Sequence, residues 1–499
     1  MTQAPSAEQL QALLDDALPE GQLNPAGATR LLAFLDALPP LLLPRIDEQW
    51  RVPFRGNTPG PAGWFRAVQD WRWHSTFPSW LTHHPDELLT APGVVAALAG
   101  SPDGYARESA VRLLARLDAP LTTGILLVRA GDWAPPVRAA ALEALHARLS
   151  DAYADHWARY AALVDRLERL ERGDAVLAEL AWALLRTPAG LQAIRRNWPG
   201  ADRDTRLTLL RVLEQLSGPP RLLWLGTLTE DPHVQVRRRV VELLPAEGLH
   251  ARLADPNAGV RERVLSRLLG LTPLHEVPAF LLTALLDPRS SVRALAQFEA
   301  RRRGVHLRAA YLKVEVPFLS AAALRGWAAG VREQRLIETS SHLEALLGHA
   351  NARVRLEALL ALGTLAPTHH VDRLEDALLG SAAQARVGEL TLRAAHLLTQ
   401  ERLEALWHRT TTDRQRRRLL RLAAGLPRFD AAAVLLTWRA ETRSALSEEL
   451  DDTLHHLLTG FGTRYYTRPS LIQQAALGRA VQTGTLNGQL RSAVEALLP

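Results

Sequence analysis

Apolar residues recur along this chain with a helical period, and the pattern itself repeats about every 31 residues. Five segments superimpose without gaps: DWAPPVRAAALEAL from 132, DPHVQVRRRVVELL from 231, DPNAGVRERVLSRL from 255, DPRSSVRALAQFEA from 287 and HANARVRLEALLAL from 349. Their shared arginines are Arg138, Arg237, Arg261, Arg293 and Arg355, with weaker copies anchored on Arg107, Arg206, Arg325, Arg386 and Arg417. The residue before the anchor is Val137, Val236, Val260, Val292 or Val354. Three residues after it stand Ala110, Ala141, Val240, Val264, Ala296, Ala328 and Ala358, and a turn further on Leu114, Leu145, Leu213, Leu244, Leu268 and Leu362. These positions are spaced by four, so they form one apolar stripe on a helix.

Six residues before the anchor stand Asp132, Asp231, Asp255 and Asp287, three of them followed by Pro. Asp then Pro predicts a turn entering a helix, with a side-chain acceptor for free N–H groups and then a residue that has none. A second apolar helical stretch precedes each turn, such as RLLWLGTLTE before Asp231. The period therefore accommodates two helices of roughly eleven residues and two short turns.

The D-x4-VR-x2-A-x3-L pattern resembles HEAT repeats, specifically the short bacterial variety also called HEAT-like lyase repeats. The resemblance implies an all-α, right-handed α-α superhelix of about 10 to 12 repeats with an extended concave surface. It also implies that Asp132, Arg138, Asp231, Arg237, Asp255, Arg261, Asp287, Arg293 and Arg355 form a ladder of hydrogen bonds between neighbouring repeats. The expected division is a Trp-rich N-terminal cap over 1–94, a solenoid over 95–430 and a helical C-terminal cap over 431–499. The interval of 68 residues between Arg138 and Arg206 leaves room for one degenerate copy near 173–185. Only 24 residues separate Arg237 from Arg261, which predicts a first helix shortened by about two turns and a bend. The stretch 151–172 reads as one long helix with a charged exposed side.

Composition adds exclusions. The 499 residues contain no Cys, which removes disulfides, thiolate zinc sites and a cysteine nucleophile. Lysine is almost absent among 59 basic residues, a usage that reads as codon bias of a GC-rich genome. The net charge is only +6, so the pI of 10.2 overstates the case for a nucleic-acid partner. The N-terminus has no basic region followed by an apolar run, and VPAFLLTALL at 277–286 is about half the length of a membrane span. A cytoplasmic location is expected.

Three places carry candidate chemistry. Trp64, Trp71, Trp73 and Trp80 crowd the least repeat-like stretch and read either as a cap or as a partner-binding surface. His74, His83, His84 and Asp86 lack the spacing of a helical metal pair, and the pairs His369–His370 and His455–His456 read as surface residues; neither a metal nor a cofactor is expected. Residues 301–499 carry a net +8 against −2 for residues 1–300, with arginine runs at 237–239, 301–303 and 414–421. Arg238, Arg239, Arg416, Arg418 and Arg421 would serve a nucleic-acid surface, whereas Arg417 falls in the anchor column. There is no P-loop, H-E-x-x-H or G-x-S-x-G motif. Alkylpurine DNA glycosylases and bilin lyases share the scaffold, and Asp132–Trp133, Trp182, Trp224 and Trp327 would furnish rings on a concave surface. The sequence thus points to a non-catalytic scaffold that binds a macromolecule, most simply a protein. The alternative is a nucleic-acid binder resembling the alkylpurine DNA glycosylases.

Overall fold

The computed structural model describes residues 5–19, 23–51, 85–442, 446–459, 469–482 and 488–495. Among them there is no strand, and helices alternate with short turns. They form two compact units, Met1–Val264 and Leu265–Pro499.

One repeat shows how the sequence builds the fold. The helix Pro120–Arg129 is followed, after a turn, by Pro135–His146, and each has Pro at its first position, where no N–H is needed. In the second helix Val137, Ala141 and Leu145 are fully buried. Val236, Val240 and Leu244 repeat the stripe, as do Val260, Val264 and Leu268. Burying each Val or Leu contributes about 1.5–3 kcal/mol, so this one column is a large part of what holds the helices together.

Second helices also pack on the second helices of adjacent repeats. Pro135–His146 lies against Gly104–Ala115 as well as Pro120–Arg129. Ala352–Leu365 lies against Ala321–Glu333 and Ala382–Ala394 as well as Ser340–Leu346. Packing between neighbours in sequence is what a repeat needs when it cannot bury both faces alone. Each unit is an α-solenoid.

The wide interval does contain another helix pair. Ala161–Arg169 packs on Ala175–Leu185, whose first turn is capped by the Asp174 carboxylate accepting from Leu177 N–H at 2.9 Å. The buried Ala178 occupies the fourth position of that helix, where Arg107, Arg138 and Arg206 stand in theirs.

The stretch 151–172 is not one long helix. It is a 3-10 turn, Asp151–Tyr153, then Ala154–Arg159 and Ala161–Arg169, with a break at Tyr160. Nor is it mainly a charged exterior, since Trp157, Tyr160, Leu163, Val164 and Leu167 are buried. Tertiary packing imposes the break. Trp157 Nε1 donates to the Arg148 carbonyl at 2.8 Å, and the Tyr160 ring lies where a Cβ on Gly124 would be 2.6 Å away.

Between Arg237 and Arg261 the first helix is reduced to Ala246–Leu249, continued by the 3-10 turn His250–Ala254. Pro245 stands at the N-cap. The turn lets the chain reach Asp255 without a full helix.

Candidate partner-binding site

The Asp and Arg columns meet in two kinds of contact. Within a repeat, the anchor guanidinium donates to the carbonyl six residues earlier. Arg138 reaches Asp132 O at 2.8 Å, Arg237 reaches Asp231 O at 2.7 Å, and Arg261 reaches Asp255 O at 2.8 Å. Arg293 and Arg355 make the same bond to Asp287 O and His349 O, each at 2.7 Å.

Between repeats, the anchor reaches the next aspartate. Arg107 grips Asp132 with Nε and Nη2 at 3.1 and 3.0 Å, and Arg206 donates to Asp231 at 2.7 Å. Arg237 grips Asp255 at 2.9 and 3.1 Å. Each of these aspartates also accepts the N–H two residues on, at Ala134, His233 and Asn257. The aspartate therefore closes the turn before the helix and does not cap the helix itself. Arg293 instead turns its remaining nitrogens to Glu333, and neither Phe318 nor Leu319 supplies an aspartate there.

Around Asp132 the ladder widens into a buried chain of charges. Arg129 donates to Asp132 at 2.7 Å and pairs with Asp47 as well, while Arg107 holds the other side of Asp132. Burial pushes the Asp47 carboxyl upward, opposed by the charge and hydrogen bond of Arg129. Two arginines and two aspartates alternate, so each buried charge has opposite neighbours.

Several arginines of the runs are engaged by carboxylates or carbonyls. Arg239 donates to Glu214 at 2.7 Å and pairs with Glu242, which also takes Arg263 at 2.5 Å. Desolvation would raise the Glu242 carboxyl, but the two arginines outweigh it and hold its pKa below the ordinary value. Arg211 is similarly engaged by Asp165 and Glu168. Arg238 is exposed. Arg303 is buried and donates to the carbonyls of Leu269 at 3.0 Å and Glu276 at 3.1 Å, which ties down the loop before the next repeat.

In the last run the anchor register shifts by one. The helix Asp413–Ala423 puts Arg416, not Arg417, at its fourth position, and Arg416 Nε donates to Thr410 Oγ1 six residues back at 3.2 Å. Arg416 also lies over the Trp407 ring at 5.5 Å. Arg417 is exposed and pairs with Glu449 at 2.7 Å. Arg418 is buried and donates to the carbonyls of Leu378 and Gly380, so it does not sit on a nucleic-acid surface. Burial, with the nearby charges of Arg414 and Arg421, lowers its pKa. Arg421 is exposed, with one long bond of 3.4 Å to Arg417 O.

The rings named from sequence do not converge. Trp133 is 60% exposed beneath the Arg107 guanidinium, while Trp327 is buried and donates to Tyr311 O at 3.2 Å. Trp182 donates to Glu168 at 3.3 Å. Trp64, Trp71, Trp73 and Trp80, with His74, His83 and His84, lie outside the described residues. His370 is buried rather than on the surface, and desolvation lowers its pKa. Among the described residues no three of His, Asp or Glu gather as metal ligands, and no single helix is long and apolar enough to cross a membrane.

A cavity that the sequence reading missed is more informative. About 570 Å³ opens between the turn Trp198–Gly200, the start of Arg203–Glu214 and the helix Gly218–Leu228. Its rings are Trp198 and Trp224, with centroids 6.2 Å apart and planes tilted by 58°. Trp198 Nε1 donates to Asp231 Oδ2 at 2.9 Å, the same oxygen that takes Arg206. A ladder rung thus forms the floor and fixes the ring. The signal in the sequence was Trp198 standing 33 residues before Asp231, a pairing with no helical period.

No family model and no curated protein matches this chain. Among solved structures it is similar to importin β, crystallised in an ammonium sulfate condition, at 14% identity and a TM-score of 0.34. That comparison covers 98% of this chain and 72% of the other.

Proposed function

We propose that this chain is a non-catalytic α-solenoid scaffold or adaptor that binds a protein partner, acting in the cytoplasm without a bound cofactor. The observation that carries the reading is the way carboxylates engage the arginines of the second helices. Glu214, Arg239, Glu242 and Arg263 alternate in sign across three helices, and Arg211 faces Asp165 and Glu168. A polyanion meeting such a face encounters as many negative as positive groups and releases few counterions. The Trp198–Trp224 cavity supplies the aromatic, partly apolar surface on which protein interfaces concentrate their binding energy.

The nucleic-acid alternative retains Arg238 and Arg421, which are exposed, within a chain whose residues 301–499 are net positive. Affinity capture from native lysate, with and without nuclease, separates the two. Protein partners recovered equally after nuclease treatment support the scaffold. Partners that vanish after nuclease would replace it with the nucleic-acid reading.

A further inference from the structure

We propose that the Trp198–Trp224 cavity seats bulky apolar side chains carried beside a carboxylate on a protein partner's segment. The inference rests on the protein-partner reading and adds the site and the chemistry it selects.

The size and walls of the cavity come first. Its volume of about 570 Å³ lies within the ordinary range of ligand pockets. Trp198, Trp224, Leu223, Leu228, Pro199 and Pro232 give it a mainly apolar lining. The polar floor has its hydrogen-bond partners already. Asp231 accepts from Arg206, from Trp198 Nε1 and from His233 N–H, so a polar group pushed to the bottom would lose its water and gain little. An apolar side chain loses nothing there.

The mouth decides the charge. Glu230 is paired with Arg252, whereas Arg195 is exposed and forms no ion pair among the described residues. One unneutralised guanidinium beside an apolar cavity selects one carboxylate next to the inserted group. Leu223, which lines the cavity, extends its apolar wall outward at 66% exposed.

Other occupants fit less well. A lysine-rich segment meets Arg195 with like charge. A nucleic-acid strand could stack on the rings, but it brings a phosphate at every nucleotide to a mouth with one unpaired cation.

The test is fluorescence anisotropy of the full chain with short labelled peptides at about 150 mM salt, where long-range attraction is screened. One peptide carries Phe and Leu between aspartates. Its counterparts have the aspartates replaced by Asn or by Lys, or the apolar residues replaced by Ser, and a single-stranded oligonucleotide is the last probe. The acidic-apolar peptide is expected to bind at least about tenfold more tightly than any counterpart. Trp224→Ala and Leu223→Asp should each weaken it by about tenfold or more, and Leu223 is exposed enough that its change leaves folding intact. Arg195→Glu should reverse the preference toward the lysine peptide, an outcome that misfolding cannot produce.

No binding of the acidic-apolar peptide, or equal binding of all four peptides, overturns the inference. Binding unaffected by these three substitutions removes the site and leaves the protein-partner reading standing. Preferential binding of the oligonucleotide, lost in Trp224→Ala, overturns both.

Discussion

Arg237 and Asp255 form the same two-pronged ion pair as Arg107 and Asp132, although 18 residues separate them instead of 25. The chain between them has lost most of a helix, yet the guanidinium still meets the carboxylate at 2.9 and 3.1 Å. The rung is therefore fixed by the stacking of second helices and by the turn that Asp255 closes. The first helix can shrink without breaking it.

Removing an aspartate from a rung should destabilise the fold in proportion to what it leaves behind. Asp132→Ala strands two buried arginines and an open turn and should cost about 3–5 kcal/mol. Arg237→Ala should cost less, because its guanidinium is nearer the surface. Urea unfolding of the full chain checks the order. Equal, negligible losses would show that the rungs do not hold the repeats together.

The arginines at 418 and 421 should behave oppositely. Arg418→Gln removes a buried donor from the Leu378 and Gly380 carbonyls, and a loss of about 1–3 kcal/mol is expected. Arg421→Gln, on the exposed face, should change stability by no more than about 0.5 kcal/mol. Thermal melts of the two variants side by side decide this, and a melt reversed in order would restore the surface assignment of Arg418.

Acid should destabilise the fold through the buried His156. His156 Nδ1 lies 3.0 Å from Thr123 Oγ1, and Arg148 donates to the same hydroxyl at 2.8 Å. Burial lowers the imidazole pKa below 6.5, and Arg148 lowers it further. The unfolded chain then takes up this proton at a higher pH than the folded one. The neutral imidazole's contribution is present above pH 6.5 and is lost as pH falls from there through the lower folded value. Unfolding midpoints measured between about pH 8 and pH 5 should fall on the acid side, and His156→Asn should flatten part of that fall. An unchanged slope would remove His156 from the explanation, leaving the buried His370, lowered in the same direction.

Periodicity made the stacking legible from sequence. A residue at −1, +3 or +7 points inward whatever its neighbours are, and Val137, Ala141 and Leu145 do so. Where several arginines adjoin, periodicity fixes the register only to within a residue. The spacing of 31 from Arg386 puts Arg417 in the anchor column, whereas the helix start at Asp413 selects Arg416. The break at Tyr160 was hidden because the ring that imposes it packs on Gly124, in a different helix. The cavity was hidden for a related reason: Trp198, Trp224 and Asp231 come from three elements that no single helical period links.

The claim that this solenoid serves a protein and not a nucleic acid is tested most directly by one titration. Labelled duplex and single-stranded oligonucleotides are titrated with the chain across a salt series, and log affinity is plotted against log salt. Arginines already paired with carboxylates should give a shallow slope and weak binding that fades by about 150–200 mM salt. Submicromolar affinity at that salt, abolished by replacing Arg238 and Arg421 together with Gln, would contradict the account.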